Sequence, residues 1–403
     1  SVLIGSPAFT HGRTAYQEIA ATLVQHGVYG YQPHAPTAFR PPTYPLFLAL
    51  HMLAFGQHWV LAAKLSQALL LVSTGLLLIR ILARLTGNGR VMVIGAVLYV
   101  GLLPLHAQLL DKNELVLFAL LLAGIVNLLL ASERSTLGVA ALGILSGLAH
   151  LTRPTGALIA IAVIATLLYE SRQQRSGKRL RRIALCLALC GATVLPWQIR
   201  NERVFGVWTL ASSSTTWLNL LKGNNPIYTQ HFPFVNPDLF DPYLAEDRSL
   251  FLGNPQHKVE FRYDPQIREA ALQGVFAEPW HTLGWAAVKA AAFVSPLSIP
   301  LGSAEVVRRA ERVSIENFRP VNPLSQLIYA LYTGLAYLGI VAAWRDRKRL
   351  STTQRTAYVF IAVFGGLLVA AHAISYPLTR YRLPLDLLLL IPSALWLQTK
   401  LPR

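Results

Sequence analysis

Nine apolar runs separated by short polar links decide what this 403-residue chain can fold into. They lie near residues 60–83, 91–109, 115–131, 137–152, 155–169, 183–199, 324–344, 356–373 and 384–399. A helix needs about 20 apolar residues to cross a bilayer, and fewer where protein covers it. With 53% apolar and only 14% charged residues, the chain is too apolar for a soluble domain, and the runs read as spans of a polytopic, all-α membrane protein.

The charge pattern orients those spans. The formal net charge of +17 does not point to nucleic acid, because the polar region Arg200–Arg319 holds 12 acidic and 12 basic side chains. The surplus sits in short links such as Arg172–Arg182 and Arg345–Arg349, the positive-inside signal of cytoplasmic loops. Alternating the spans puts Arg84, Arg90, Arg134, Arg172–Arg182, Arg345–Arg355 and Lys400–Arg403 on the cytoplasmic side. Tyr16–Pro45, Asp111–Glu114, Arg153-Pro154, Arg200–Pro323 and Tyr376–Pro384 fall opposite. The ledger expects one more span upstream of Ser1 and a single membrane domain over 1–403. Its outer parts are a first loop over 14–56 and a long loop over 200–323.

Ahead of the first span, Thr14 and Gln17 fit a capping box. Tyr16, Ile19, Ala20, Leu23 and Val24 then form an apolar stripe, with Glu18 opposite. Leu46–Phe55 is too short to span and reads as a second interfacial helix. Leu283–Ile299 would break the charge ledger as a span. Interrupted by Lys289 and closed by Pro296 and Pro300, it reads as an interfacial helix, with a re-entrant hairpin as the competing reading. Asn201–Pro323 otherwise shows little periodicity and reads as a partly helical lid.

Chemistry concentrates on the outer side. Arg40, Arg153, Arg200, Arg380 and Arg382 are its basic members, and Glu18, Asp111 and Glu114 its acidic ones. A guanidinium pairs with phosphate oxygens two at a time, and a carboxylate can take a hydroxyl proton. The plainer readings are that boundary arginines snorkel to headgroups, that Asp111 and Glu114 cap the helix starting at Leu115, and that Glu18 lies on a solvated face. Cys186 and Cys190, four apart in an apolar run, read as small packing residues and offer no disulfide framework. The 11 histidines show no ligand spacing, so no metal site is indicated. The sequence names no cofactor and leaves a divalent metal open.

These residues carry a resemblance. Tyr16-x-x-Ile19-Ala20, Gly27-x-Tyr29 and Arg40-Pro41-Pro42-x-Tyr44-Pro45 resemble the first outer loop of the GT-C glycosyltransferases. The nearest group is the bacterial mannosyltransferase and aminoarabinose-transferase branch, which uses polyprenyl-phosphate sugars. Glu114 at a helix start, Gly147-Leu148-Ala149-x-Leu151-Thr152-Arg153-Pro154, Arg200-Asn201-x-x-x-Phe205-Gly206, Gly223-Asn224-Asn225-Pro226 and Arg380-Tyr381-Arg382-Leu383-Pro384 follow in family order.

The resemblance implies a GT-C-like helix bundle with outer-face interfacial helices. It implies transfer of a hexose or pentose, with inversion, from a polyprenyl-phosphate donor to an acceptor hydroxyl of a lipid, glycan or protein. The site would face the periplasm or exterior of a bacterial plasma membrane. Arg40 would contact the donor phosphate, helped by Arg380 and Arg382, with Arg13 nearby. Tyr16, Tyr44, Arg153, Arg200 and Tyr381 would line the cavity. The family expects a catalytic aspartate a few residues before Tyr16. Here His11-Gly12-Arg13-Thr14-Ala15 holds no carboxylate, so the base is Glu18 or Asp111, with Glu114 a further candidate, or it is supplied by residues upstream of Ser1. The alternatives are a lipid-linked sugar flippase or a binding-only relative. A transporter should pair ionisable residues within the membrane or repeat broken helices in two halves, whereas the spans hold few charges beyond Lys64 and Arg80.

Overall fold

The computed structural model describes residues 15–110, 113–131, 135–173, 178–208, 215–234, 236, 264–309 and 312–400. Thr14, Arg13 and Asp111 lie outside them. The chain divides into two compact units: Ser1–Ser212 with Leu350–Phe360, and Ser213–Arg349 with Ile361–Arg403.

In the first unit, α1 (Ala15–His26) buries Tyr16, Ile19 and Ala20 of the expected stripe. A small antiparallel pair follows, β1 (Gly30–Gln32) and β2 (Ala35–Pro36). Next come α2 (Thr43–Phe55), one 3-10 turn at Gly56–His58, and α3 (Trp59–Thr86). The expected short interfacial helix therefore belongs to a 44-residue apolar stretch, Thr43–Thr86, interrupted only at Gly56, whose φ is 51°. Leu61, Leu65, Leu69, Val72 and Leu76 repeat at helical spacing along α3 and are all exposed, as a lipid-facing stripe requires. Gln67, Leu71, Thr74 and Leu78 lie buried on another face. The helix stops at Gly87, which takes a left-handed φ of 61° and returns its N–H to the Ala83 carbonyl at 2.8 Å.

The remaining helices of this unit are α4 (Gly89–Gly101), α5 (Leu103–Ala107), α6 (Leu115–Leu129), α7 (Thr136–Thr152), α8 (Gly156–Gln173) and α9 (Lys178–Phe205). Asn88 and Ser135 cap α4 and α7 through their side-chain oxygens. Close packing joins α7 to α9. A Cβ on Gly143 would come 2.5 Å from the Cys186 carbonyl oxygen, and one on Gly147 would come 2.6 Å from Thr193 Cβ. The Gly143-x-x-x-Gly147 spacing lets two backbones approach as larger residues could not. Cys186 and Cys190 are free thiols in this seam, in keeping with a packing role.

The second unit contains α10 (Thr215–Gly223), α11 (Pro226–His231), α12 (Asp264–Ala277), α13 (Pro279–Val294), an antiparallel hairpin β3 (Gly302–Arg309) and β4 (Arg312–Pro320), α14 (Pro323–Arg345) and α16 (Thr379–Gln398). It also takes α15 (Thr352–Ile374) beyond Phe360. The Leu283–Ile299 stretch supplies α13 from Leu283 to its end at Val294 and continues as non-helical chain to Ile299. The hairpins are additions to the all-helical expectation. In the second, Glu305, Val307, Val313 and Ile315 recur at strand spacing within a run of mixed charge that carries no strong apolar signal.

Helices stand at all nine expected spans. Thr43–Thr86, Leu180–Phe205, Pro323–Arg345 and Thr352–Ile374 are long and apolar enough to cross a membrane, with shorter apolar helices at Gly89–Gly101, Leu115–Leu129, Thr136–Thr152 and Gly156–Glu170. The chain is a multi-pass helical membrane protein.

Candidate functional site

The site in the first unit gathers at helix ends. Its scaffold is the lead-in between α1 and α2. Thr37 donates its backbone N–H to the Tyr29 carbonyl at 2.9 Å. The Tyr29 hydroxyl reaches forward to the carbonyls of Arg40 and Pro41 at 2.9 and 3.2 Å. Burial, the largest influence on Tyr29, raises its pKa well above the ordinary phenol value, so it stays a donor. Two prolines then fix the backbone after Arg40, and α2 begins at Thr43.

Arg200, near the end of α9, pins this scaffold. It donates to the carbonyls of Thr37 at 2.8 Å and Tyr29 at 3.1 Å, and to Asn201 Oδ1 at 2.9 Å. Its guanidinium also lies over the rings of Trp197, Phe205 and Tyr29 at 4.9, 5.1 and 5.4 Å. Of the outer arginines, Arg200 is therefore the one engaged in holding the loop that carries Arg40.

Glu114 sits immediately before α6. Asn113, not Glu114, caps that helix: its Oδ1 accepts the Leu115 N–H at 3.0 Å, while Glu114 makes no side-chain cap bond. The Glu114 carboxylate instead lies 3.6 Å from Arg153 Nη1, with both side chains largely buried. Arg153 follows α7 in extended backbone, φ −155° and ψ 136°, as a residue before proline prefers. Burial would raise the Glu114 pKa, but the charges of Arg153 and Arg40 and a hydrogen bond with Tyr16 outweigh it and hold the carboxyl below its ordinary range. Tyr16 is the mirror case, raised by burial first and by Glu114 second.

Arg40 and Tyr44 flank Tyr16. The Arg40 guanidinium lies 5.0 Å from the Tyr16 ring centre, and Tyr44 stands edge-on to the same ring at 5.2 Å. Gln67 on α3 donates to the Tyr44 hydroxyl at 2.9 Å. Tyr16, Arg40, Tyr44, Glu114 and Arg153 are thus brought together, joined by Gln67, which the sequence reading missed. An amide inside an apolar helical run was the available signal. Glu18 is half-buried and two residues from Tyr16, so its side chain leaves α1 on the other side from this cluster. Among the described residues no group of three or more His, Cys, Asp or Glu is placed to hold a metal ion.

Residues 39–197, which hold Arg40, Tyr44, Gln67, Glu114 and Arg153, match the family described as dolichyl-phosphate-mannose-protein mannosyltransferase. That match covers less than half of the chain, and over those residues the chain is similar to that family. No curated protein matches the chain. Among solved structures it is similar to ArnT from Cupriavidus metallidurans in the apo state, at 16% identity and a TM-score of 0.36, over 94% of this chain and 72% of that one. The same protein bound to undecaprenyl phosphate is similar at 16% identity and 0.37, over 95% and 73%.

Arg380 and Arg382 lie in the second unit. Arg380 is exposed and donates to the Tyr381 hydroxyl at 2.9 Å. Tyr381 stacks on His372 at 5.0 Å. Arg382 is 3% exposed, and its guanidinium is committed within the protein. It pairs with Asp386 at 2.8 Å and donates to the Phe293 carbonyl at 3.0 Å and to Thr333 Oγ1 at 2.6 Å. Asp386 also accepts from the Tyr329 hydroxyl at 3.0 Å. This ion pair corrects the view that the spans hold few charges beyond Lys64 and Arg80. Asp386 went unremarked because it lies inside the run Leu383–Leu390.

Lys289 is a second internal pin. It is fully buried and donates to the carbonyls of Gly223, Ile374 and Ser375 and to Asn224 Oδ1, at 2.9–3.1 Å. Gly223 and Ile374 end α10 and α15, so one ammonium group serves the carbonyl ends of two helices. Burial pushes it down to about 7.

Proposed function

We propose that this chain moves a sugar from a polyprenyl-phosphate donor to an acceptor hydroxyl on the outer face of a bacterial plasma membrane. The observation that supports this most is the ionised Glu114 carboxylate, held by Arg153 and Tyr16 with the charge of Arg40 upon it. Glu114 takes the place of the carboxylate missing before Tyr16 and acts as the base.

The acceptor hydroxyl gives its proton to Glu114 as its oxygen attacks the anomeric carbon. The bond from that carbon to the phosphate oxygen breaks with inversion, and the lipid phosphate leaves with the electron pair. No acid is needed for so good a leaving group, so stabilising its charge dominates. Arg40 does this with its guanidinium fork. Arg153 orients Glu114 and keeps it ionised.

The test is donor-dependent transfer in membranes, with undecaprenyl-phosphate sugars as donors and Arg40→Ala beside the wild type. Loss of transfer in Arg40→Ala, with the protein still present in the membrane, is the expected result. Full retained transfer overturns the assignment.

A further inference from the structure

Two buried groups beside Glu114 keep hydrogen-bonding capacity that the fold does not use. Tyr44 is 0% exposed and Gln67 1%. The Gln67 amide nitrogen spends both its hydrogens, on the Tyr44 hydroxyl at 2.9 Å and the Asn113 carbonyl at 3.2 Å. A carbonyl only accepts, so the Asn113 contact fixes which end of the amide is nitrogen. Gln67 Oε1 is then a buried acceptor without a donor among the described residues. The Tyr44 hydroxyl, which accepts from Gln67, still has its own proton to give.

Buried polar groups are rarely left so, since each unmet one is destabilising. A hydroxyl answers both groups at once, accepting from Tyr44 and donating to Gln67. Position indicates whose hydroxyl it is. Arg40 and Tyr44 flank the one ring of Tyr16, at 5.0 and 5.2 Å. A sugar bonded directly to a phosphate held by Arg40 has its hydroxyls in the neighbourhood of that ring, and so of Tyr44.

We propose that Tyr44 and Gln67 hold one hydroxyl of the sugar on the lipid phosphate, and so help to determine which sugar is accepted. The proposal rests on the reading of Arg40 as the phosphate ligand.

The test is equilibrium binding to the full chain in lipid nanodiscs. The probes are undecaprenyl phosphate and its glucose, mannose and arabinose derivatives. The wild type should bind at least one sugar-bearing probe about tenfold more tightly than the bare lipid phosphate, as one well-made hydroxyl contact allows. Gln67→Leu and Tyr44→Phe should each erase that increment and leave bare-lipid binding unchanged. Arg40→Ala should weaken binding of all four probes.

An increment that survives both substitutions overturns the proposal and leaves the pair with a buried water. So does the absence of any increment in the wild type. Loss of acceptor affinity with the increment intact would assign the pair to the acceptor, and also overturns it. If Arg40→Ala leaves bare-lipid binding intact while the increment still depends on Gln67 and Tyr44, the phosphate reading fails and the sugar contact stands.

Discussion

Arg153 and Glu114 face each other at 3.6 Å from the ends of two different helices, largely buried. Neither makes the contact that its place in the sequence suggests. Glu114 leaves capping to Asn113, and Arg153 turns inward where a boundary arginine usually turns to headgroups.

The pair has a pH signature. The folded-state pKa of Glu114 lies below its unfolded value, so its stabilising contribution is complete above the unfolded value, about 4.3, and is lost as pH falls through the folded value. The acid limb of kcat/KM in the wild type should therefore lie below about pH 4.3. Arg153→Ala removes the largest influence opposing burial and should move that limb upward. A pH–rate profile of both proteins in nanodiscs checks this, and an unmoved limb would contradict it.

Arg200 should act at a distance from the chemistry. Arg200→Ala strips the lead-in of two charge-assisted bonds, at a cost of roughly 3 kcal/mol. Thermal unfolding should begin earlier and proteolysis should cut more readily between Gly27 and Pro42. Transfer should fall because Arg40 loses its scaffold, and Arg200→Lys should recover only part of it.

Gly147→Val places a branched side chain where a lone Cβ already falls 2.6 Å from Thr193. Overpacking of this kind should cost on the order of 3 kcal/mol. Yield of detergent-stable protein, measured by size-exclusion profile, should drop sharply, whereas Gly191→Ala, which meets nothing within 4 Å, should be silent.

Lys289 links stability to alkaline pH. Its folded pKa of about 7 is below the unfolded lysine value of about 10.4, so between them the unfolded chain binds more protons. Its contribution to stability should therefore increase as pH rises from about 7 to about 10. Comparing unfolding midpoints of the wild type and Lys289→Met across that window checks the sign. The difference in slope should vanish if Lys289 keeps its proton throughout.

Much of the fold was legible because the bilayer imposes a length and a polarity on every span, and helices stand where each apolar run was read. The β3–β4 hairpin was not, since the sequence Gly302–Pro320 mixes charged with short apolar residues and shows no strong apolar alternation. Gln67 and Asp386 were hidden by their apolar surroundings. Arg40, Arg153 and Glu114 were each legible as candidates able to converge on the outer side, but which of the outer residues meet was not, because it depends on how α2, α6 and α7 pack. Arg200 and Arg382 looked alike as outer arginines, yet each is held by carbonyls or a carboxylate that only folding brings near.

The central claim is that the Glu114 carboxylate is the base. Initial rates of sugar transfer from undecaprenyl-phosphate donors should be measured for Glu114→Gln, Glu114→Asp and Glu18→Gln in nanodiscs. Loss of a general base should cut the Glu114→Gln rate by about a thousandfold. Glu114→Asp should retain part of the rate, and Glu18→Gln should leave it unchanged. A Glu114→Gln protein that transfers sugar at the wild-type rate, or a Glu18→Gln protein that does not transfer it at all, would contradict the account.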